Sequence, residues 1–357
     1  MAYNQIAPQQ IRNEFRLALF GCNHELADYN NGRDSIAEGF KALSFNGIPC
    51  NLAFMHGDYS SHQEPIETPT HDSDGTRVAS KLNSLSINRH NVYSVLGNHD
   101  WGKLNCNWFR KWIDTFGENT ASSGVNNSLR PYPIIRNGTE VDHYAIIVRN
   151  NLFLMIGDYN GVDSPIGRNS LVDGGYPSGA MSRKAWDFMK AQIALHPTKN
   201  VFVHAHHLLK DTTIATGDNE GFNGNFHGTS GKQISSGRLD DIYDDSNQTS
   251  VSADEIITWM DNNSGKIFMW CGSHSHVEIN QTYAGRGQYI SKHGTHFLNV
   301  GALSRYHAGR DSLARIMLFQ NGSTELNIFQ YVSYSATVSA DQLYRANDLV
   351  LTMPYAF

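Results

Sequence analysis

The chain has 357 residues, 40% of them hydrophobic, with 28 Lys and Arg against 34 Asp and Glu and a net charge of −6. That length suits one large domain or two small ones, and the mild negative charge excludes a binder driven by attraction to nucleic acid or an acidic membrane surface. No stretch reaches the ~18 apolar residues of a membrane span, the first residues show no basic-then-apolar leader, and Cys22, Cys50, Cys106 and Cys271 lack the CxxC pairing of a zinc ribbon and suggest no disulfide framework.

The expectation is therefore a cytoplasmic protein with reduced thiols. Strand and helix patterns alternate along it. FRLALF at 15–20 predicts a strand. Ser35 to Leu43 predicts a helix, with Ser35 and Glu38 as a capping box and Ile36, Phe40 and Leu43 on one face. LAFM at 52–55 is the next strand, and Val78, Leu82 and Leu85 mark a second helix. Strands follow at 92–96 (VYSVL) and 152–156 (LFLMI).

A helix from Ser182 to Leu195 carries Trp186, Met189 and Ile193 on one face, with Pro197 beyond its end. VFV at 201–203 is a strand. Residues 206–250, rich in Gly, Asn, Asp, Ser and Thr, predict a long surface excursion. Ser252 and Glu255 form a capping box ahead of Ile256, Trp259 and Met260. Strands at 267–270 and 296–300 come next, and 313–357 supplies closing strands and a tail. Alternating units of this kind predict a layered α/β fold. No composition shift calls for a second domain, so residues 1–357 are expected to form one.

Polar groups recur at the strand ends. They are Cys22-Asn-His24, His56-Gly-Asp58, Gly97-Asn98-His99-Asp100, Gly-Asp158, His204-Ala-His206-His207, and Ser273-His274-Ser-His276. One Gly-Asp pair is an ordinary turn, and a lone imidazole is an ordinary solvated side chain. Successive strand ends offering His, Asp or Asn at the carboxyl edge, where ligands bind in open α/β sheets, form a convergent set. Imidazole is the commonest metal-binding side chain.

In this order the motifs resemble the calcineurin-like metallophosphoesterases, whose pattern runs D-x-H, GD, GNH with Asp or Glu, a strand-end His, and GHxH. The resemblance covers about residues 15–305. It implies a four-layer αββα sandwich, with two facing mixed β-sheets flanked by helices and a site for two divalent metal ions (Mn, Fe, Zn or Ni) at the sheet edge. It further implies hydrolysis of a phosphate monoester or diester by a metal-bound hydroxide, with Asp58 bridging the ions. Cys22, His24 and His276 would complete one metal and Asn98, His206 and His274 the other. His99 would steady the transition state and protonate the leaving group, and Asp100 would orient His99.

Three points stay open. The family's leading Asp is Cys22 here, and a thiolate ligand and a buried bystander thiol are both compatible with that. Its Gly before HxH is Ser273. Either His204 or His206 could be the strand-end ligand, with the HH pair at His206-His207 favouring His206. His56 and Asp158 are candidates for lining the pocket. The loop 208–250 and the segment Arg305-Tyr-His307-Ala-Gly-Arg310 are candidates for specificity. A second reading, prompted by Cys22, is a catalytically impaired relative serving as a binding or structural component of a virion or secreted assembly.

Overall fold

The computed structural model describes residues 13–25, 35–40, 44–45, 48–62, 64–102, 105–157, 181–217, 238–239, 250–304, 311–338 and 342–357. Two six-stranded mixed sheets dominate it. The strands are β1 (Glu14–Phe20), β2 (Leu52–Met55), β3 (Val92–Ser94), β4 (His143–Val148), β5 (Asn151–Ile156), β6 (Asn200–Ala205), β7 (Met269–Gly272), β8 (Tyr289–Lys292), β9 (Thr295–Asn299), β10 (Asp311–Gln320), β11 (Glu325–Ser335) and β12 (Gln342–Thr352). The first sheet runs β12-β11-β10-β1-β2-β3 and the second β8-β9-β7-β6-β5-β4. β1, β2 and β3 are parallel, as are β5, β6, β7 and β9. The other strands join antiparallel.

The strands at the centre read as unbroken apolar runs because both of their faces are covered. Side chains alternate between faces along a strand, so each run feeds two cores. Leu17, Leu19, Leu52 and Phe54 meet Phe153, Met155 and Phe202 between the sheets. Ala18, Phe20, Ala53 and Met55 face outward, against the helices α1 (Ser35–Gly39), α2 (Asp72–Asn83) and α3 (Asn107–Trp112). Leu152, Leu154, Val201 and Val203 face α4 (Arg183–Leu195) and α5 (Ala253–Asn262) on the far side. The layers thus run helix, sheet, sheet, helix. Among the described residues no helix is long and apolar enough to cross a membrane.

Ser252 caps its helix as expected, accepting from Glu255 N, and Ser182, expected as a first helical residue, is the cap of α4, accepting from Ala185 N. The reciprocal half of the second box is not made, because the Glu255 carboxylate holds Arg183 and Trp186. Ser35 is not a cap. The amide of Ile36 donates instead to Glu25 Oε2 at 3.0 Å, so a carboxylate beside His24 holds the start of α1. Residues 41–43 of the expected helix lie outside the described residues. β3 stops at Ser94 and β7 starts at Met269, each about two residues from expectation. The start of the expected surface excursion is buried at 206–209 and 212–217, where threonine hydroxyls satisfy the backbone: Thr212 and Thr216 donate to Leu209 O and Thr213 O.

Gly75 is buried in α2, and a Cβ there would strike the indole of Trp112 on α3. Alanine is the better helix former by about 1 kcal/mol, but overpacking costs about 1–3 kcal/mol. Gly75→Ala is therefore expected to destabilise the protein. A denaturant midpoint unchanged or raised, at constant slope, would contradict this packing.

Candidate metal centre

The parallel strands bring the loops after β1, β2, β3, β6 and β7 to one edge shared by both sheets. Those loops turn hard. Cys22, His24, Asp58, His274 and His276 all have left-handed backbone, with φ of 30°, 37°, 55°, 27° and 49°. Such φ values in non-glycine residues cost energy and cluster at functional sites. The loops after β2 and β3 lie back to back. A Cβ on Gly57 would strike the backbone nitrogen of Gly97, and one on Gly97 would strike the Asp58 carboxylate.

Asp58 sits at the centre and is buried. Its Oδ2 lies 3.1 Å from His206 Nε2 and 3.5 Å from His24 Nε2. Its Oδ1 accepts from the amide of His99 at 2.9 Å. Burial pushes its carboxyl up, but His206, His99 and His24 overcome this and hold it well below the usual carboxylate range.

Three backbone carbonyls set the tautomers of the surrounding histidines. A carbonyl can only accept, so the ring nitrogen facing it must carry the proton. His24 Nδ1 donates to Ser60 O at 2.8 Å, His99 Nδ1 to His62 O at 2.8 Å, and His206 Nδ1 to His56 O. In the neutral rings every Nε2 is then a lone pair. His206 Nε2 lies 3.0 Å from both Asn98 Oδ1 and His274 Nδ1, as well as beside Asp58. Where the rings are neutral, lone pairs converging in this way suit a cation between them, and imidazoles whose other nitrogen is fixed by a carbonyl are the usual metal ligands.

Ligand atoms of Cys22, His24 and His276 lie within 4.8 Å of one another, as do those of Cys22, Asp58 and His206, those of His24, Asp58 and His99, and those of His206, His207 and His274. These buried His, Asp and Cys groups could hold metal ions. Every one of the expected ligands reaches this edge. Cys22 is brought in with them, but its thiol is pushed well up by burial and then by Asp58, and it donates to Ser273 Oγ at 3.5 Å. Both a thiolate ligand and a bystander thiol remain compatible with this position.

Asp100 differs from expectation. It does not contact the His99 ring, whose Nδ1 is taken by His62 O. Its carboxylate accepts four backbone N–H groups: Asp58 and Gly97 on Oδ2 at 2.9 and 3.0 Å, Tyr59 and Ser60 on Oδ1 at 2.8 and 3.3 Å. It is the rivet between the two loops, and no side-chain pattern announces that role.

His204 and His206 part company because His204 lies within β6 while His206 follows its last residue, Ala205. His204 stays deeper, between the sheets against Phe54 and Phe153, with Nδ1 3.0 Å from His56 Nε2. His56 in turn donates Nδ1–H to Phe20 O at 3.2 Å. Burial pushes His56 down to about 3 and His204 well below its ordinary value, so this pair is neutral. His56 acts on the site through its carbonyl rather than by lining a pocket.

His207 was not singled out as a ligand, yet its ring lies 4.1 Å from that of His274, and its place in the HAHH string was the available signal. Ser60 and His62 contribute carbonyl oxygens, for which sequence has no signal. Ser273 supports the HSH loop, its amide donating to His206 O at 2.8 Å. Asp158, Arg305, His307, Arg310 and most of 208–250 lie outside the described residues.

A scan against protein-family models gives no match, and comparison with curated proteins gives none either. The reading of the site rests on its own geometry.

Asp100→Asn replaces an acceptor-only carboxylate by an amide whose NH2 would face backbone N–H groups. Hydrogen bonds to a charged acceptor contribute about 1.5–3 kcal/mol, so the variant is expected to lose about that much stability and to weaken metal binding through the displaced Asp58 loop. Unchanged thermal stability together with unchanged metal content would contradict the role given to Asp100.

Proposed function

We propose that this chain is a metal-dependent phosphoesterase with the architecture and site of the calcineurin-like metallophosphoesterases, hydrolysing a phosphate monoester or diester. The observation that carries the reading is one carboxylate, Asp58, with Cys22, His24 and His276 gathered on one side and Asn98, His206 and His274 on the other. A pair of divalent ions there would supply Lewis-acid charge for the phosphoryl oxygens and lower the pKa of a water.

The chain's own residues supply the rest. Asp58 is the one carboxylate among the ligands, and Asn98 is neutral, so the protein contributes little negative charge to repel a phosphate. His24 and His206 keep their Nε2 lone pairs inward because backbone carbonyls hold their Nδ1–H groups. His99 donates Nδ1–H to His62 O, which leaves Nε2 as the nitrogen that would carry a proton to the leaving oxygen. Its ring stands edge-on to His24, 4.8 Å between centroids. Nearly complete burial of these side chains excludes bulk water from the reacting groups.

Cys22 favours a second reading, a catalytically impaired relative acting as a binding or structural component. A buried thiol at a position where the family pattern has a carboxylate removes one hard ligand.

The test is hydrolysis of p-nitrophenyl phosphate and its bis-ester with added Mn, Fe, Zn or Ni, beside metal analysis of the purified protein. Asp58→Asn is expected to lose both ions and all activity. His99→Ala is expected to keep the ions and lose ~10²–10⁴ in turnover, the range for general acid–base catalysis. Metal loss in His99→Ala would make His99 a ligand, and full metal content in Asp58→Asn would overturn the shared-carboxylate assignment.

Cys22→Asp is expected to raise affinity for Mn, because a carboxylate suits that ion better than a thiol does. Mn affinity and activity both unchanged would remove position 22 from the site. Near-zero metal and no hydrolysis in the wild type, with both gained in Cys22→Asp, would favour the second reading.

A further inference from the structure

A second group of imidazoles and carboxylates lies on the segment joining β2 to α2. One ligand atom each of His62, Glu64 and His71 falls within 4.8 Å of the others. His62 Nδ1 is 2.9 Å from Glu64 Oε1, and its Nε2 is 2.9 Å from Asp74 Oδ2 in the first turn of α2. The His62 and His71 ring centroids are 4.5 Å apart. The group is accessible, with the side chains of His62 and Glu64 26% and 62% exposed. Its ligand atoms do not include any of the Asp58 site.

His62 stands between two carboxylates, Glu64 at Nδ1 and Asp74 at Nε2, and the His71 ring, whose Nδ1 is held against the Glu67 amide at 3.0 Å, closes the third side. A single divalent ion would fit between His62 Nδ1, Glu64 and a ring nitrogen of His71. Asp74 would keep Nε2–H of His62, which is the arrangement in which a carboxylate orients a metal-bound imidazole. Two imidazoles and one carboxylate, with a position left for water, match the open type of zinc site. The nitrogen donors disfavour Mg and Ca.

We propose that His62, Glu64 and His71 form a separate divalent-metal site for zinc or a similar late first-row ion, with Asp74 as the residue that positions His62. The site has a route to the Asp58 centre, because the carbonyl of His62 accepts Nδ1–H of His99. An ion on the His62 ring fixes the peptide that aims His99. This last link, unlike the binding itself, rests on the phosphoesterase reading.

The test is zinc titration of chelator-treated protein, with bound zinc counted after equilibrium dialysis. Wild type is expected to hold one more zinc per chain than His71→Ala or Glu64→Gln. Asp74→Asn is expected to keep the ion about tenfold more weakly, at the low end of the range for such orienting partners. Asp58→Asn is expected to retain this ion after losing those of the main site. Equal zinc count and affinity in wild type and in a folded Glu64→Gln, a change at an exposed side chain, would overturn the proposal whatever happens to His71→Ala. Loss of the phosphoesterase reading would appear separately, as absent hydrolysis with the zinc difference intact.

Discussion

The site depends on how one short segment, His56 to His62, divides its backbone groups. The amides of Asp58, Tyr59 and Ser60 point to the carboxylate of Asp100, while the carbonyls of His56, Ser60 and His62 point to His206, His24 and His99. One stretch of chain thus reads out an anion on one side and three imidazoles on the other. Burying Asp100 is costly, and Asp58 nearby raises the cost, so both push its carboxyl up. Four N–H donors make the burial tolerable. Without them the loop carrying Asp58 would keep few bonds to the loop carrying Asn98, such as that from the His99 amide to Asp58 Oδ1.

The second sheet answers this arrangement. His206 comes from the end of β6, and His274 and His276 come from the loop after β7, so the ligand edge exists only while the two sheets are in register across their shared core. The residues that keep that register are ordinary: Phe54, Phe153, Phe202 and their neighbours. The His56–His204 pair sits at the boundary, where the apolar core gives way to the polar edge. Its neutral hydrogen bond lets two imidazoles occupy that boundary without carrying charge into the core.

Much of this was legible in the sequence, for a physical reason. Strands buried on both faces leave long apolar runs, and side chains that bind cations stand out when they follow such runs directly. GNHD, the Gly-Asp pair at 57–58, and HSH at 274–276 were visible in that way, and so was the serine cap of α5. Backbone roles were not visible. A carbonyl that fixes a tautomer belongs to every residue type, so Ser60 and His62 carried no mark. Asp100 was noticed but misassigned, because its partners are amides rather than the adjacent imidazole. Glu25 was missed as the cap of α1 because its helix begins ten residues later in the chain. β4, despite its apolar run from Tyr144 to Val148, was passed over, and β8 went unrecognised because its partly exposed residues leave only a weak apolar run.

The left-handed residues at this edge set stability against function. Glycine would adopt those φ values without strain, and each non-glycine residue there costs about 1 kcal/mol. Cys22, His24, Asp58, His274 and His276 each bear that cost. A lineage selected for thermal endurance alone would drift toward glycine at all five positions and become sturdier with each step. It would also lose, one by one, the side chains that meet at the edge. Five strained, chemically distinct residues on loops from both sheets thus set competing demands against each other in backbone torsion angles.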